Sequence, residues 1–201
     1  MLKRQNTIVR LKEVVTVFTY RKPLFYPVHV EFHNPAFGQI LFEHYGGKDS
    51  EFSAATQYLN HRSNIRNYYI QELLGFIAAE EMGHMEMIAV AINKLGGPPL
   101  SYVNSQGLPW NMSYVDQSLD PIQMLQADVE AEIRAQALYN LHYTMTSDPS
   151  LKKMIRFLAS REDVHKHLFE KSQILIQRAA PPEQFHELIN EYKISLKLPE
   201  K

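Results

Sequence analysis

Two Glu-x-x-His quartets, Glu81-Met82-Gly83-His84 and Glu162-Asp163-Val164-His165, each follow a lone glutamate by the same interval, 81 − 51 = 30 from Glu51 and 162 − 132 = 30 from Glu132. Residues three apart on a helix share a face, so each quartet can aim a carboxylate oxygen and an imidazole nitrogen at one point. Two helices carrying such pairs and two carrying single glutamates are what a four-helix bundle uses to hold two metal ions between its helices. The pattern predicts an all-α chain built on a ferritin-like four-helix bundle.

A single Glu-x-x-His arises often by chance, but two of them with matched upstream glutamates on otherwise apolar faces do not. Glu81 lies among Ile77, Ala78, Met85 and Ile88, and Glu132 among Val129, Ala131 and Ala135. An isolated carboxylate buried there would cost several kcal/mol, and divalent cations would supply the compensation. The competing reading makes these glutamates a solvent-facing stripe and the histidines ordinary core or surface residues, and it has to hold for all of them at once. The chain has no cysteine, so disulfides, thiol catalysis and iron-sulfur clusters are excluded, and any metal must be held by oxygen and imidazole.

Neighbouring polar residues read differently. Glu80, Glu86 and Glu130 fall off the common face and are expected to be solvated. His167 should point away from His165, and His44, His61, His142 and His186 have no partner at ligand spacing. Met82, Met85 and Met87 read as helix packing. Tyr58 stands 58 − 51 = 7 residues after Glu51, two turns along the same face. Its hydroxyl can reach a ligand carboxylate, although a plain core tyrosine would fit the position equally well.

Residues 1–33 read as an extended N-terminal arm, with a β-prone run at Val14-Val15-Thr16-Val17-Phe18. Residues 34–178 form the expected bundle domain. Asn34-Pro35 opens its first short helical segment and Gly46-Gly47 closes it. A helix capped by Asp49 or Ser50 then runs to about Arg62, and one from near Asn67 runs to Gly96-Gly97-Pro98-Pro99. Residues 98–118, rich in Pro, Gly, Ser and Asn around Trp110, read as the long crossover of a ferritin-like bundle. Asp120-Pro121 opens a helix that ends before Ser147-Asp148-Pro149, and another runs from there to Arg178. Residues 179–201 form a C-terminal tail with a short surface helix over Glu183 to Tyr192.

Lysines and arginines (21) balance aspartates and glutamates (22), so no strong field would draw nucleic acid or an anionic membrane. No stretch approaches the ~20 apolar residues needed to span a bilayer. Lys12 and Glu13 interrupt the early apolar run, unlike a secretory signal, and a cytoplasmic product is expected.

Tyr45-Gly46-Gly47, Glu51-Phe52-Ser53-Ala54-Ala55, Glu80-Glu81-Met82-Gly83-His84-Met85-Glu86-Met87-Ile88, Ala131-Glu132 and Phe157-Leu158-Ala159-Ser160-Arg161-Glu162-Asp163-Val164-His165 carry a family resemblance. In them the chain resembles the manganese catalases, most closely their short CotJC-type spore coat branch. The resemblance implies two manganese ions, one bound by Glu51, Glu81 and His84 and the other by Glu81, Glu132 and His165, with Glu81 bridging. It implies that Glu162 handles protons from the outer sphere and that Tyr58 stands behind the ligands. It further implies disproportionation of hydrogen peroxide to water and oxygen, a homo-oligomer that is hexameric in the catalases, and a place in the cytoplasm or in the spore coat beside other coat proteins. Iron suits the same donors on affinity grounds. Two other readings stay open: a structural coat component that keeps the metals but turns over little, and a rubrerythrin-like di-iron peroxidase or oxidase in which Glu162 becomes a sixth ligand.

Overall fold

In the computed structural model, residues 26–196 are described, and the β-prone run over Val14 to Phe18 with most of the expected arm lies outside them. The first helical segment is divided in two, α1 over Pro35–Ile40 and α2 over Phe42–Gly46, with Leu41 between them. The long helices follow as α3 over Glu51–Asn64, α4 over Tyr68–Leu95, α5 over Pro121–Met145 and α6 over Pro149–Gln177. A last helix, α7, covers Pro182–Ser195.

Local chemistry sets these boundaries. Ser50 accepts from the Ser53 amide at the start of α3, and Asn67 accepts from the Ile70 amide at the start of α4. Asp120 and Asp148 each accept from two first-turn amides, followed by Pro121 and Pro149 at the first helical position. Helix α4 stops where Gly96 adopts a left-handed conformation at φ 74° and the Gly97 amide reaches back to the Ile92 carbonyl at 2.9 Å. The free oxygen of Asp148 also accepts from the Glu31 and Phe32 amides at 2.6 and 3.2 Å, fastening the segment before α1 to the α5–α6 corner.

Helices α3 and α4 form one antiparallel hairpin, α5 and α6 the other, and the crossover between α4 and α5 joins the pairs. The connection is fastened to the bundle at several points. Trp110 Nε1 donates to Ser53 Oγ at 2.9 Å, and Tyr102 stacks on both Tyr45 and Phe52. His61 Nδ1 lies 2.8 Å from Asp128 Oδ1, while its Nε2 meets Asp116 of the crossover. Gly46 packs so close to this connection that a Cβ there would lie 2.7 Å from both the nitrogen and the oxygen of Val103.

Among the described residues, two apolar clusters fill the interior. One gathers Tyr58, Leu73, Leu74, Ile77, Leu125, Val129, Leu168 and Phe169, and the other Phe42, Met87, Ile88, Ile92, Tyr139, Ile155 and Leu158. Along α4 and α6 the quartets fall between the two, so the bundle is interrupted by a charged layer with hydrophobic core above and below.

Two expectations are corrected here. Helix α7 is not a surface helix: Phe185, Leu188, Ile189 and Tyr192 are buried and complete the first apolar cluster. Its spacing of apolar residues at i, i+3, i+4 and i+7 is what allows this docking. Met82 is 39% exposed, whereas Met85 and Met87 pack inside.

Candidate metal centre

The charged layer brings together Glu51 from α3, Glu81 and His84 from α4, Glu132 from α5, and Glu162 and His165 from α6, all buried. They form two adjoining groups, Glu51, Glu81, His84 and Glu162 in one, and Glu81, Glu132, Glu162 and His165 in the other. Glu81 is shared. Its Oε2 lies 2.9 Å from His84 Nδ1 and its Oε1 lies 2.8 Å from His165 Nδ1.

Glu162 faces the same space from the opposite helix. Its Oε1 and Oε2 lie 3.5 Å from His84 Nδ1 and His165 Nδ1, respectively. Its carboxylate therefore stands as near the centre of both groups as those of the single glutamates.

Several of these donors have nothing to bond. Glu81 Oε1, Glu162 Oε1 and His165 Nδ1 are buried without a hydrogen-bond partner, and the 2.8 Å approach of His165 Nδ1 to Glu81 lacks hydrogen-bond alignment. Four carboxylates face two imidazoles in a buried layer. Burial, reinforced by the charges of Glu81, Glu51 and Glu132, pushes the Glu162 carboxyl well above its ordinary range. Burial likewise raises Glu81 to about 7, with Glu132 adding to the rise and His165 and His84 opposing it. Burial alone would depress both histidines, yet the surrounding carboxylates hold them well above 6.5. Unbonded buried oxygens and an excess of negative charge are what two divalent cations would satisfy, and oxygen with imidazole suits manganese or iron. The residues present fit a dimetal centre.

Two tyrosines tie the single glutamates across the bundle. Tyr58 on α3 donates to Glu132 Oε1 on α5 at 2.6 Å. Tyr139 on α5 makes the reciprocal bond, donating to Glu51 on α3. Tyr139 escaped the sequence reading, although its signal was present: 139 − 132 = 7 repeats the interval from Glu51 to Tyr58.

Glu80 is corrected outright. It is not solvated but 1% exposed, lying behind both histidines and paired with Arg161, whose Nε is 2.7 Å from Glu80 Oε1. Helical periodicity places it off the ligand face, and only the packing of α6 and α7 against that side buries it. Glu86 and Glu130 are exposed as expected, and His167 and His186 are exposed as well. His44 and His142 are buried against each other, Nε2 to Nδ1 at 2.9 Å, and His44 stacks on the Tyr139 ring at 3.8 Å between centroids. They support the layer from outside it.

A narrow cavity lined by Lys48, Asp49, Gln57, Tyr58, Tyr114 and Arg134 leads to Glu51, Glu132 and Glu162. Arg134 Nε and Asp49 Oδ1 pair at 2.8 Å beside its solvent end.

The fold is a ferritin-like bundle, and its charged layer carries a donor set that could hold two metal ions. Comparison with known proteins narrows this. The family model for manganese containing catalase matches residues 17–99 and 95–198, and the chain belongs to that family. It is 36% identical over 176 residues to protein CotJC of Bacillus subtilis, covering 78% of this chain and 93% of the relative. The crystal structure of KatB, a manganese catalase from Anabaena, superposes with a TM-score of 0.77 at 28% identity, covering 83% of this chain and 84% of that one. The bacterioferritin of Desulfovibrio desulfuricans shares the fold, with a TM-score of 0.60 at 19% identity over 76% of this chain and 85% of its own.

Proposed function

We propose that the protein is a dimanganese catalase that disproportionates hydrogen peroxide to water and oxygen. The observation that carries this reading is the position of Glu81, which offers one carboxylate oxygen to each side of a buried layer with a histidine at either end. Glu51, Glu81 and His84 would hold one ion, and Glu81, Glu132 and His165 the other. A pair of manganese ions bound there supplies two one-electron equivalents, matching the two-electron change in peroxide.

The chain's own residues do the rest. Tyr58 and Tyr139 orient Glu132 and Glu51 by donating to them, which holds each carboxylate in place. The cavity past Arg134 and Asp49 admits a small polar substrate to the face formed by Glu51, Glu132 and Glu162. Glu162 sits where that cavity meets the layer, and a buried carboxyl whose neighbours resist its ionisation can hold a proton and return it. The apolar clusters on either side keep bulk water from the remaining faces.

The chain's likeness to CotJC-type coat proteins supports association with the spore coat, or residence in the cytoplasm before assembly, as a homo-oligomer. A hexamer is the assembly that the family resemblance implies. One observation favours a second reading: Glu162 reaches both groups, as the sixth ligand of a rubrerythrin-like di-iron peroxidase would. Bound metal and oxygen evolution measured on one sample separate the readings. Manganese with oxygen released from peroxide is expected. Iron with peroxide consumed only alongside an electron donor would favour the peroxidase. Full metal occupancy with negligible turnover would indicate a structural coat component.

A further inference from the structure

Binding a metal through one ring nitrogen dictates where a histidine keeps its proton. His84 and His165 both turn Nδ1 toward the carboxylate layer, so in a metal-holding site each ring carries its hydrogen on Nε2. Both Nε2 atoms are buried and lack a hydrogen bond. An acceptor stands near the two of them at once. Glu80 Oε1 lies 3.6 Å from His84 Nε2, and Glu80 Oε2 lies 3.4 Å from His165 Nε2, each a few tenths of an ångström beyond bonding distance.

Glu80 is held in that place from behind. Arg161 Nε donates to its Oε1 at 2.7 Å, and the Tyr192 hydroxyl donates to its Oε2 at 2.9 Å. Arg161 Nη2 also reaches Oε2 at 3.4 Å, so each oxygen is anchored from behind and faces one imidazole. Arg161 is fixed in turn by the Ser195 carbonyl at 2.9 Å and the Ser195 hydroxyl at 3.1 Å. Tyr192 and Ser195 belong to α7, which contributes no residue to the charged layer itself. A buried Arg–Glu pair rarely earns its place by stability alone, because desolvation consumes most of the attraction. This carboxylate, centred between two rings that need acceptors, has a more specific use.

We propose that Glu80 is the positioning residue for both metal-facing histidines and that α7 positions Glu80, so that docking of the last helix governs metal retention. The inference rests on reading the charged layer as a dimetal centre. It gives α7 a part in the centre that its sequence, a plain amphipathic helix, does not show.

The test loads the full chain with manganese(II) and follows metal per chain, the rate of extraction by a chelator, and the electron paramagnetic resonance signal of the ion pair. Wild type is compared with Glu80→Gln, Tyr192→Phe and Leu188→Ala, and unfolding of each metal-free protein is recorded alongside. Glu80→Gln and Tyr192→Phe are expected to release metal at least about tenfold faster and to alter the resonance signal. The metal-free midpoint of Tyr192→Phe should move little. Leu188→Ala loosens α7 without touching Glu80, and it should lower the metal-free midpoint and speed release together. Wild-type release from Glu80→Gln or Tyr192→Phe overturns the proposal, as does a destabilised Leu188→Ala that keeps its metal normally. Should Glu80→Gln fail to fold, Tyr192→Phe decides. A wild type that binds no metal overturns the dimetal reading itself, whereas a two-metal wild type with unaltered variants overturns only the positioning role.

Discussion

Tyr58 and Glu132 are joined by a 2.6 Å hydrogen bond from α3 to α5, and Tyr139 returns the bond from α5 to Glu51 on α3. Each single glutamate is therefore held by the tyrosine of the other's helix. Tyr58→Phe preserves the fully buried ring and removes only the donor. It is expected to weaken the metal bound by Glu132 and His165 by roughly 10- to 100-fold while leaving the other ion in place. Tyr139→Phe should weaken the opposite ion. Stepwise metal titration checks both, and equal loss of both ions in either variant would contradict the pairing.

Removing the metals should cost stability, because the layer then retains four buried carboxylates with two imidazoles. An ion present at about a thousand times its dissociation constant stabilises the fold by roughly 4 kcal/mol, which for a chain of this size is about 10 °C in the unfolding midpoint. Calorimetry of the loaded and chelated protein measures the difference. A midpoint unchanged by chelation would mean that the layer is compensated by protons alone.

His44 predicts the acid side of the stability curve. Burial, with the neighbouring His142 adding to it, lowers its pKa from 6.5 to about 3. The unfolded chain then takes up a proton more readily than the folded one. The contribution of His44 is complete above pH 6.5 and is lost as pH falls from there toward 3, by about 2 kcal/mol at pH 5. Thermal midpoints of the metal-free protein should fall over that window, and His44→Gln should flatten the slope. An unchanged slope in the variant would place the titration elsewhere.

Gly46→Ala tests the seat of the crossover. The added methyl would lie 2.7 Å from two backbone atoms of Val103, which cannot swing aside as a side chain can. A loss of about 1–3 kcal/mol is expected. Denaturant unfolding reads it, and a neutral substitution would show that the crossover is free to shift away from α2.

Legibility of this chain was uneven for identifiable reasons. The helix boundaries at Ser50, Asn67, Asp120 and Asp148 follow from side chains that bond the adjacent amides, a local event that sequence displays directly. Glu51, Glu81, His84, Glu132, Glu162 and His165 were legible as one set because helical spacing makes each pair converge and the interval of 30 residues repeats. The pseudo-symmetry runs further than those six. Tyr58 and Tyr139 recur at seven residues after their glutamates, and His61 and His142 at ten, since 61 − 51 = 10 and 142 − 132 = 10. Glu80 and Arg161, each one residue before a quartet glutamate, pair with each other across the bundle.

By itself, then, the sequence determined the helices, their order around a long crossover, and the set of donors that could face one another, because each of these depends on contacts within a turn or two of helix. Only the tertiary structure decided that Glu80 is buried beside two histidines, that α7 belongs to the core, and that each tyrosine answers the glutamate of the opposite helix. These depend on which outer face of a helix another helix covers. Helical periodicity separates an inner face from an outer one, but the packing of α6 and α7 over the far side of α4 makes a second inside that no single helix records.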